Sequence, residues 1–472
     1  MIINKNNIYL KSPLFLKKIL FNIYAYNLTK LKYHRIFKER LKELEKSQCY
    51  SYLELEQLQE EKLQRIIKHC YDNVPYYYDV FRTRRLKPTD VKTVKDLHKI
   101  PILTREDVKN NLSRLTAKNF RRGEMRLTNT SGTTGSPLFF YWDKMIYPIT
   151  RAYLWRHWHW AGFNYEDKRI TMHGPIIVDL NRNRPPFWMY NKWDRQLFFS
   201  SYHLSESYLP YFIDKLFDFS PQAIEAYPSA IYVLAKFMQE RHISYKLKAV
   251  FTSAETLYSI QRDTIENVFS CKIFDVYGLS ERVVMATECE KHIGLHLNME
   301  YGITEIVDEK GNNLCIGTEG RVISTGLENF SMPLIRYDTG DISKILNNKC
   351  ECGREFPMLS PITTKAEDQI LLPDGRYISG SLLTFPFKPM VNIKKSQIIQ
   401  DDVRSLKVKI VKSEKYSNND SKILLEGLQK CLGDEMKIQL EFVEDIPRTK
   451  SGKYRWVISK IRRPMDFEKE NI

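Results

Sequence analysis

The chain has no run of about 18 apolar residues, which excludes a bilayer-spanning helix of ordinary length. Its amino end also lacks the uninterrupted apolar core and small-residue cleavage site of a secretory signal. Lys17 and Lys18 interrupt Pro13-Leu14-Phe15-Leu16 before Ile19-Leu20-Phe21, so a cytoplasmic location is expected. Cysteine is too sparse, at 8 in 472 residues, for a disulfide framework, and points to free thiols or a metal site. No internal repeat or low-complexity tract is present. Acidic residues are in deficit, 57 against 73 Lys and Arg, for a formal charge of +16. Such a charge can mark a nucleic-acid or anionic-membrane partner. The lysines are scattered among Asn and Ile, however, and no aromatic-and-basic binding module is recognisable, so nucleic acid is not an expected partner.

What is present is an ordinary globular composition, 43% hydrophobic, enough for a large core divided between two or three domains. Residues 9 to 43 mix Leu10, Leu14, Leu16, Ile19, Leu20 and Ile23 with many lysines. A basic amphipathic segment of this kind can associate weakly with a membrane surface, or turn its apolar side to the domain body. The second is the expectation. Residues 52 to 70 have helical periodicity that Val74-Pro75 ends, within a largely helical leader over 1–110. Strand-like and helix-like stretches then alternate to about residue 280, as in Ala223 to Tyr227, Ala230 to Arg241 and Lys248 to Thr252, the order of an α/β fold. Beyond residue 367 the texture changes. Leu371 to Tyr377 reads as a hairpin around Asp374-Gly375, and alternating strands at 406–411 and 437–442 flank a helix near 420–432. The expected architecture is a large α/β domain over 1–367, with mixed sheets and helices, and a small mobile α+β domain over 368–472.

Four motifs carry chemistry. Thr130-Ser131-Gly132-Thr133-Thr134-Gly135-Ser136-Pro137 offers backbone and hydroxyl donors to phosphate oxygens. It lies between the strands Met125 to Thr128 and Leu138 to Trp142, unlike the phosphate loop that precedes a helix. Asp275-Val276-Tyr277-Gly278-Leu279-Ser280-Glu281 ends a strand in a turn bearing a ring, a hydroxyl and a carboxylate, the parts needed to stack a base, touch a phosphate and hold magnesium. Arg336 to Asp341 ends in a carboxylate that can accept from two ribose hydroxyls, and Pro447 to Arg455 projects a lysine from the small domain. Each alone is an ordinary turn, cap or solvated loop.

In this order and at these intervals the four motifs resemble the adenylate-forming superfamily that includes acyl-CoA synthetases. The likeness is to its phenylacetate-CoA ligase and capsule-biosynthesis CapK-like branch, supported by Lys62-Leu63-Gln64, Val74 to Tyr77, Ile100 to Arg105, Tyr227-Pro228-Ser229 and Cys350 to Arg354. The resemblance implies that ATP and a carboxylic acid give an acyl adenylate and pyrophosphate, often followed by acyl transfer to coenzyme A. It implies that Ser131, Gly132 and Gly135 hold the β- and γ-phosphates, with Thr133 and Thr134 as hydroxyl donors. Ser253, Ala254 and Glu255 match the turn beside the adenine; Tyr277 and Gly278 match its stacking segment. Ser280 would touch the α-phosphate, Glu281 ligate Mg2+ and Asp341 bind the ribose. Lys453 corresponds to the lysine that reaches the α-phosphate and carboxylate, where a fixed ammonium offsets accumulating charge and is worth about 3 kcal/mol. Because Lys453 lies on a separate domain, catalysis should require closure. Where the family usually has Gly-Arg before the hinge, the chain has Thr364-Lys365, then Asp368. Lysine keeps the charge but cannot fork across two hydroxyls.

Cys289, His296, Cys350 and Cys352 supply three thiolates and one imidazole, a closed tetrahedral set suited to structural Zn2+. Some members of the resembled branch carry such residues in comparable places. The other cysteines, Cys49, Cys70, Cys271, Cys315 and Cys431, read as buried small apolar side chains. Residues 139 to 202 are dense in aromatics, Tyr141 among them, which can line a flat acid pocket or, as the main expectation, pack a core. His173 and Tyr227 lie in regions that resemble substrate-contacting segments.

Overall fold

The computed structural model describes residues 9, 12–130, 138–174, 176–362, 370–378, 380–387, 389–390, 392–446 and 456–461. Among the described residues the chain opens with the helices α1 (Leu14–Lys32), α2 (Arg35–Ser47), α3 (Tyr52–Asn73), α4 (Pro75–Thr83), α5 (Arg105–Asn110) and α6 (Leu112–Leu115). In α3 the start is set by a capping box, in which the Glu54 amide donates to Ser51 Oγ and the Ser51 amide donates to Glu54 Oε2 at 2.8 Å. Its buried face, Leu55, Leu63, Ile66, Ile67 and Cys70, follows the helical period. Pro75 forces Val74 into an extended conformation, which stops α3, and then serves as the first residue of α4.

Strands β1 (Met125–Asn129) and β2 (Phe139–Asp143) form an antiparallel hairpin, closed at its tip by the Thr130 amide donating to the Leu138 carbonyl at 2.9 Å. The helix α7 (Ile146–Trp160) follows. The central sheet is then built from β3 (Arg169–Met172), β4 (Trp188–Asn191), β5 (Gln196–Phe199), helix α8 (Leu209–Phe219), β6 (Ala223–Ala226), helix α9 (Pro228–Gln239), β7 (Ala249–Ser253), helix α10 (Ser259–Phe269), β8 (Lys272–Gly278), β9 (Met285–Glu288), β10 (Leu295–Leu297) and, later in the chain, β14 (Met358–Leu359). Its nine strands run in the order β14-β10-β9-β8-β7-β6-β3-β5-β4, parallel from β8 to β5 and antiparallel at both edges. The middle strands β3, β6 and β7 are almost wholly buried, as expected for parallel strands covered on both faces. The chain places β5 on one side of β3 and β6 on the other, and such a reversal of direction opens a crevice at the carboxyl ends of the strands. A separate antiparallel sheet contains β11 (Gly302–Val307), β12 (Gly320–Gly326) and β13 (Tyr337–Ser343).

The C-terminal part contains the expected hairpin, β15 (Ile370–Leu371) with β16 (Tyr377–Ile378), turned at Gly375 with φ +81°. Helix α11 (Gly380–Phe387), β17 (Ile393–Asp402), β18 (Ser405–Lys412), helix α12 (Asn418–Leu432), β19 (Lys437–Phe442) and β20 (Val457–Ser459) complete an α+β unit whose sheet order is β19-β18-β17-β20. Its core, around Ile398, Val408, Leu424 and Trp456, extends to Tyr202 and Tyr227 of the large domain. No helix among the described residues is long and apolar enough to cross a membrane. The aromatic stretch is largely core, with Trp155 and Trp158 buried 5.0 Å apart, but Tyr190 and Trp193 lie exposed on the β4–β5 hairpin. One expectation needs correction: Cys70 and Cys431 are buried, whereas Cys49, just past α2, and Cys315, in the β11–β12 loop, are exposed because both fall in surface connections.

Candidate active site

Strand β8 ends in the turn that the sequence indicated, and the turn faces β13. The Tyr277 hydroxyl donates to Asp341 Oδ2 at 2.8 Å, joining the residues matched to adenine and ribose. Asp341 is held in turn by its amide, which donates to Thr339 Oγ1 at 3.1 Å. Gly278 closes β8 and Ser280 is exposed just beyond it, its carbonyl accepting from Trp142 Nε1 at 2.9 Å. Arg282 adopts φ +62° and places its guanidinium 4.6 Å from the Trp142 ring.

Glu281 is buried, accepts from the Tyr337 hydroxyl at 3.1 Å and lies 4.0 Å from Arg105 Nη1. Burial raises its carboxyl pKa above the ordinary value, and the attraction of Arg105 only partly opposes this. A buried carboxyl whose charge the protein under-compensates suits a cation ligand, so Glu281 fits the magnesium role. Arg105 also donates to Thr130 Oγ1 at 3.2 Å, and therefore bridges the start of the Gly/Ser/Thr loop and Glu281. Sequence reasoning did not assign Arg105 a role; the only signal was its place at the end of the Ile100 to Arg105 motif. Ser131, Gly132, Thr133, Thr134 and Gly135, with Lys365, Asp368 and Lys453, lie outside the described residues.

Beside this, β7 ends at Ser253, and Ala254 turns the chain with φ +70°. Glu255 Oε2 accepts from the Ser229 amide at 3.1 Å, at the start of α9. The neighbouring β3 and β6 deliver His173 and Tyr227, whose rings are 5.6 Å apart. His173 Nε2 lies 3.2 Å from Glu225 Oε1, and Arg169 Nε lies 3.7 Å from Glu225 Oε2. Burial alone would raise the Glu225 carboxyl, but His173, Arg151 and Arg169 together hold it well below the usual range. Residues matched to acid and adenine contacts thus share the carboxyl ends of the parallel strands. Tyr141 sits elsewhere, on β2, where its carbonyl accepts from Asn329 Nδ2 at 2.9 Å and its amide donates to Met332 sulfur at 3.3 Å.

The four candidate metal ligands are assembled by the antiparallel edge of the large sheet. Cys289 follows β9, His296 is on β10, and Cys350 and Cys352 are on the loop before β14, which pairs with β10. Their ligand atoms all lie within 4.8 Å of one another. Cys289 Sγ is 3.5 Å from Cys350 Sγ and Cys352 Sγ is 3.4 Å from His296 Nε2. A tetrahedron with ordinary zinc–sulfur and zinc–nitrogen bonds has edges of about 3.6 Å, so the donor set fits zinc. The Phe356 carbonyl, 3.3 Å from His296 Nδ1, can only accept, which leaves Nε2 as the ligating nitrogen.

The fold is that of the adenylate-forming CoA ligases. The chain superposes on 2-hydroxyisobutyryl-CoA ligase in its thioesterification state with a TM-score of 0.55 at 20% identity, covering 87% of this chain and 90% of that one. The postadenylation state of that enzyme gives 0.53 at 20% identity, over 89% and 92% of the two chains. The relatives by sequence lie in the branch that the motifs resemble. Residues 370–460 match the CapK C-terminal domain family. Across the whole length the chain is 28% identical to Protein CapK of Staphylococcus aureus, over 97% of this chain and 100% of that protein. It is also 25% identical to the phenylacetate-coenzyme A ligase of Thermus thermophilus, over 67% and 72% of the two.

Proposed function

We propose that the protein is an ATP- and Mg2+-dependent ligase that adenylates a small carboxylic acid, aryl acids among the candidates, and then passes the acyl group to coenzyme A. The observation that carries the reading is the meeting of Tyr277, Asp341 and Glu281, two motifs distant in sequence, beside the crevice that holds His173 and Tyr227. In this reading Tyr277 and the Ser253 to Glu255 turn flank the adenine, and Asp341 takes the ribose. Ser280 meets the α-phosphate, and the loop from Ser131 to Gly135 meets the outer phosphates. Lys365 stands where a forked arginine would otherwise support the ribose. Glu281 orients a magnesium ion, which when bound neutralises charge on the phosphates. The carboxylate oxygen of the acid attacks the α-phosphorus, the bond to the β-phosphate oxygen breaks, and pyrophosphate leaves. Lys453, carried on a C-terminal domain that begins at about residue 368, enters on closure and offsets the charge that builds in that step. Cys289, His296, Cys350 and Cys352 hold a structural zinc whose closed ligand set leaves no open position for chemistry.

A second reading keeps adenylation but replaces coenzyme A with another acceptor, in capsule or related polysaccharide or secondary-metabolite synthesis. The full-length likeness to CapK, against two-thirds coverage by a phenylacetate-CoA ligase, favours weighing it. Acid-dependent pyrophosphate release, measured over aryl, hydroxy and short aliphatic acids with hydroxylamine as trap, tests both. Stimulation by coenzyme A supports the first reading, and acid-dependent release indifferent to it supports the second. Zinc-loaded, folded protein that binds ATP yet releases no pyrophosphate with any acid contradicts both and points to a binding protein that retained the fold.

A further inference from the structure

Helix α1 carries apolar side chains on two opposite faces, and the described residues cover only one. On the inner face Leu14 and Phe21 pack on Ile177, Val178 and Met189, and Phe21 meets the Phe198 ring edge-on at 5.7 Å. Lys32, buried at the end of the same face, binds Asp194 at 3.0 Å and anchors the helix to the sheet edge. The expectation that the apolar side packs on the body therefore holds for half of the helix. The outer face displays Phe15, Ile19 and Ile23, which are 67%, 49% and 56% exposed. Their spacing of four sets them in one row. An exposed row of large apolar side chains on a surface helix marks an interaction face.

The row runs into an aromatic and basic rim. Tyr26 packs against Trp193, itself 46% exposed, with ring centroids 4.8 Å apart. Lys30 Nζ lies 4.5 Å from the Tyr26 ring and Lys192 Nζ lies 4.6 Å from the Trp193 ring. Asn22 fastens the two elements together: its Nδ2 donates to the Tyr190 carbonyl at 3.0 Å, and its Oδ1 accepts from the Lys192 amide at 3.3 Å. Helix α1 contains four lysines and no acidic residue. Tryptophan and tyrosine beside lysine are the side chains that settle at a bilayer's headgroup level, apolar part inward and ammonium outward.

We propose that the outer face of α1 and the β4–β5 hairpin form a docking surface for an anionic lipid bilayer, with α1 lying in the headgroup plane. The apolar row enters the acyl boundary, and Lys18, Lys30 and Lys192 meet lipid phosphates. A second copy of the chain is the poorer occupant, because a symmetric pairing of this face would set its lysines against lysines. This surface does not depend on the adenylation reading, since none of its residues belongs to the candidate active site.

Co-sedimentation of the full-length protein with phosphatidylcholine vesicles, with and without phosphatidylglycerol, tests it at low and high salt. Binding is expected on the anionic vesicles and should weaken with salt. The triple variant Phe15→Ser, Ile19→Ser, Ile23→Ser should partition at least roughly thirtyfold less, with its melting temperature unchanged. Lys18→Glu with Lys30→Glu serves should the first variant fold poorly, and should abolish the preference for anionic lipid. Brominated lipids should quench fluorescence in the parent and clearly less in Trp193→Phe. Equal binding to both vesicle types, or no vesicle binding together with a dimer that the triple variant dissolves, overturns the proposal.

Discussion

Replacing Glu281 with glutamine separates what one buried carboxyl does for the fold from what it does for the reaction. The side chain is 7% exposed and lies 4.0 Å from Arg105. Two unit charges at that distance attract by about 4 kcal/mol at an effective dielectric near 20, which bounds what the substitution can remove. Burial outweighs that attraction, because the carboxyl pKa is raised and not lowered. Ionised Glu281 therefore weighs against the nucleotide-free fold, whereas glutamine keeps an acceptor for the Tyr337 hydroxyl and has no charge to desolvate. The sign follows by linkage. A folded-state pKa above the unfolded value gives stability that is complete below the unfolded pKa and lost as pH rises through the folded one. Glu281→Gln should thus melt at or above the parent at pH 8 without nucleotide, and lose that advantage near pH 5, as read by calorimetry. Its acid-dependent pyrophosphate release should fall about a hundredfold, with the loss not recovered by added magnesium. A variant less stable at pH 8 than at pH 5 relative to the parent, or one turning over within about twofold of it, refutes the reasoning.

Metal analysis should find one zinc per chain, and Cys352→Ser should lose it and lower the melting temperature by several degrees, since the loop before β14 is no longer pinned to β10; a metal-free parent indifferent to chelator contradicts this. Tyr277→Phe removes the hydrogen bond that positions Asp341, about 1 kcal/mol, and should raise the KM for ATP about fivefold in initial-rate measurements, with kcat changed less. Glu225→Gln removes the carboxylate that His173 and Arg169 face, leaving Arg169 to Asp194, and should destabilise the fold by about 2 kcal/mol at pH 7 in denaturant titration. Because the Glu225 pKa is depressed, its contribution is present above the unfolded value and lost as pH falls through the folded one, so the difference should shrink in strong acid.

The legible parts of the fold were those with local punctuation. The helical period over 52–70 and the Val74-Pro75 stop delimited α3, and Asp374-Gly375 marked the β15–β16 turn. The strand ending at Tyr277-Gly278 was readable for the same reason, an apolar run closed by a turn. The sheet β11 to β13 was not, although it carries Asp341, because its strands are joined by pairing across loops and not by pattern. Arg105 escaped for a similar reason: its partners Thr130 and Glu281 come from separate hairpins and turns. The Cys289, His296, Cys350 and Cys352 set was visible as residue types, but only the β9-β10-β14 order gathers it. Charged residues buried in strands, such as Arg169 and Glu288, leave no period in the sequence, and α1 conceals its two faces because both carry apolar side chains.

The central claim, adenylation driven by a lysine brought from the C-terminal domain, is tested most directly by acid-dependent exchange of labelled pyrophosphate into ATP, compared between the parent and Lys453→Ala. Exchange requires no acyl acceptor, so it isolates the first half-reaction. The account predicts exchange in the parent with a competent acid, and its loss in Lys453→Ala while ATP affinity is largely kept. Exchange that needs no acid, or that survives Lys453→Ala unchanged, contradicts it.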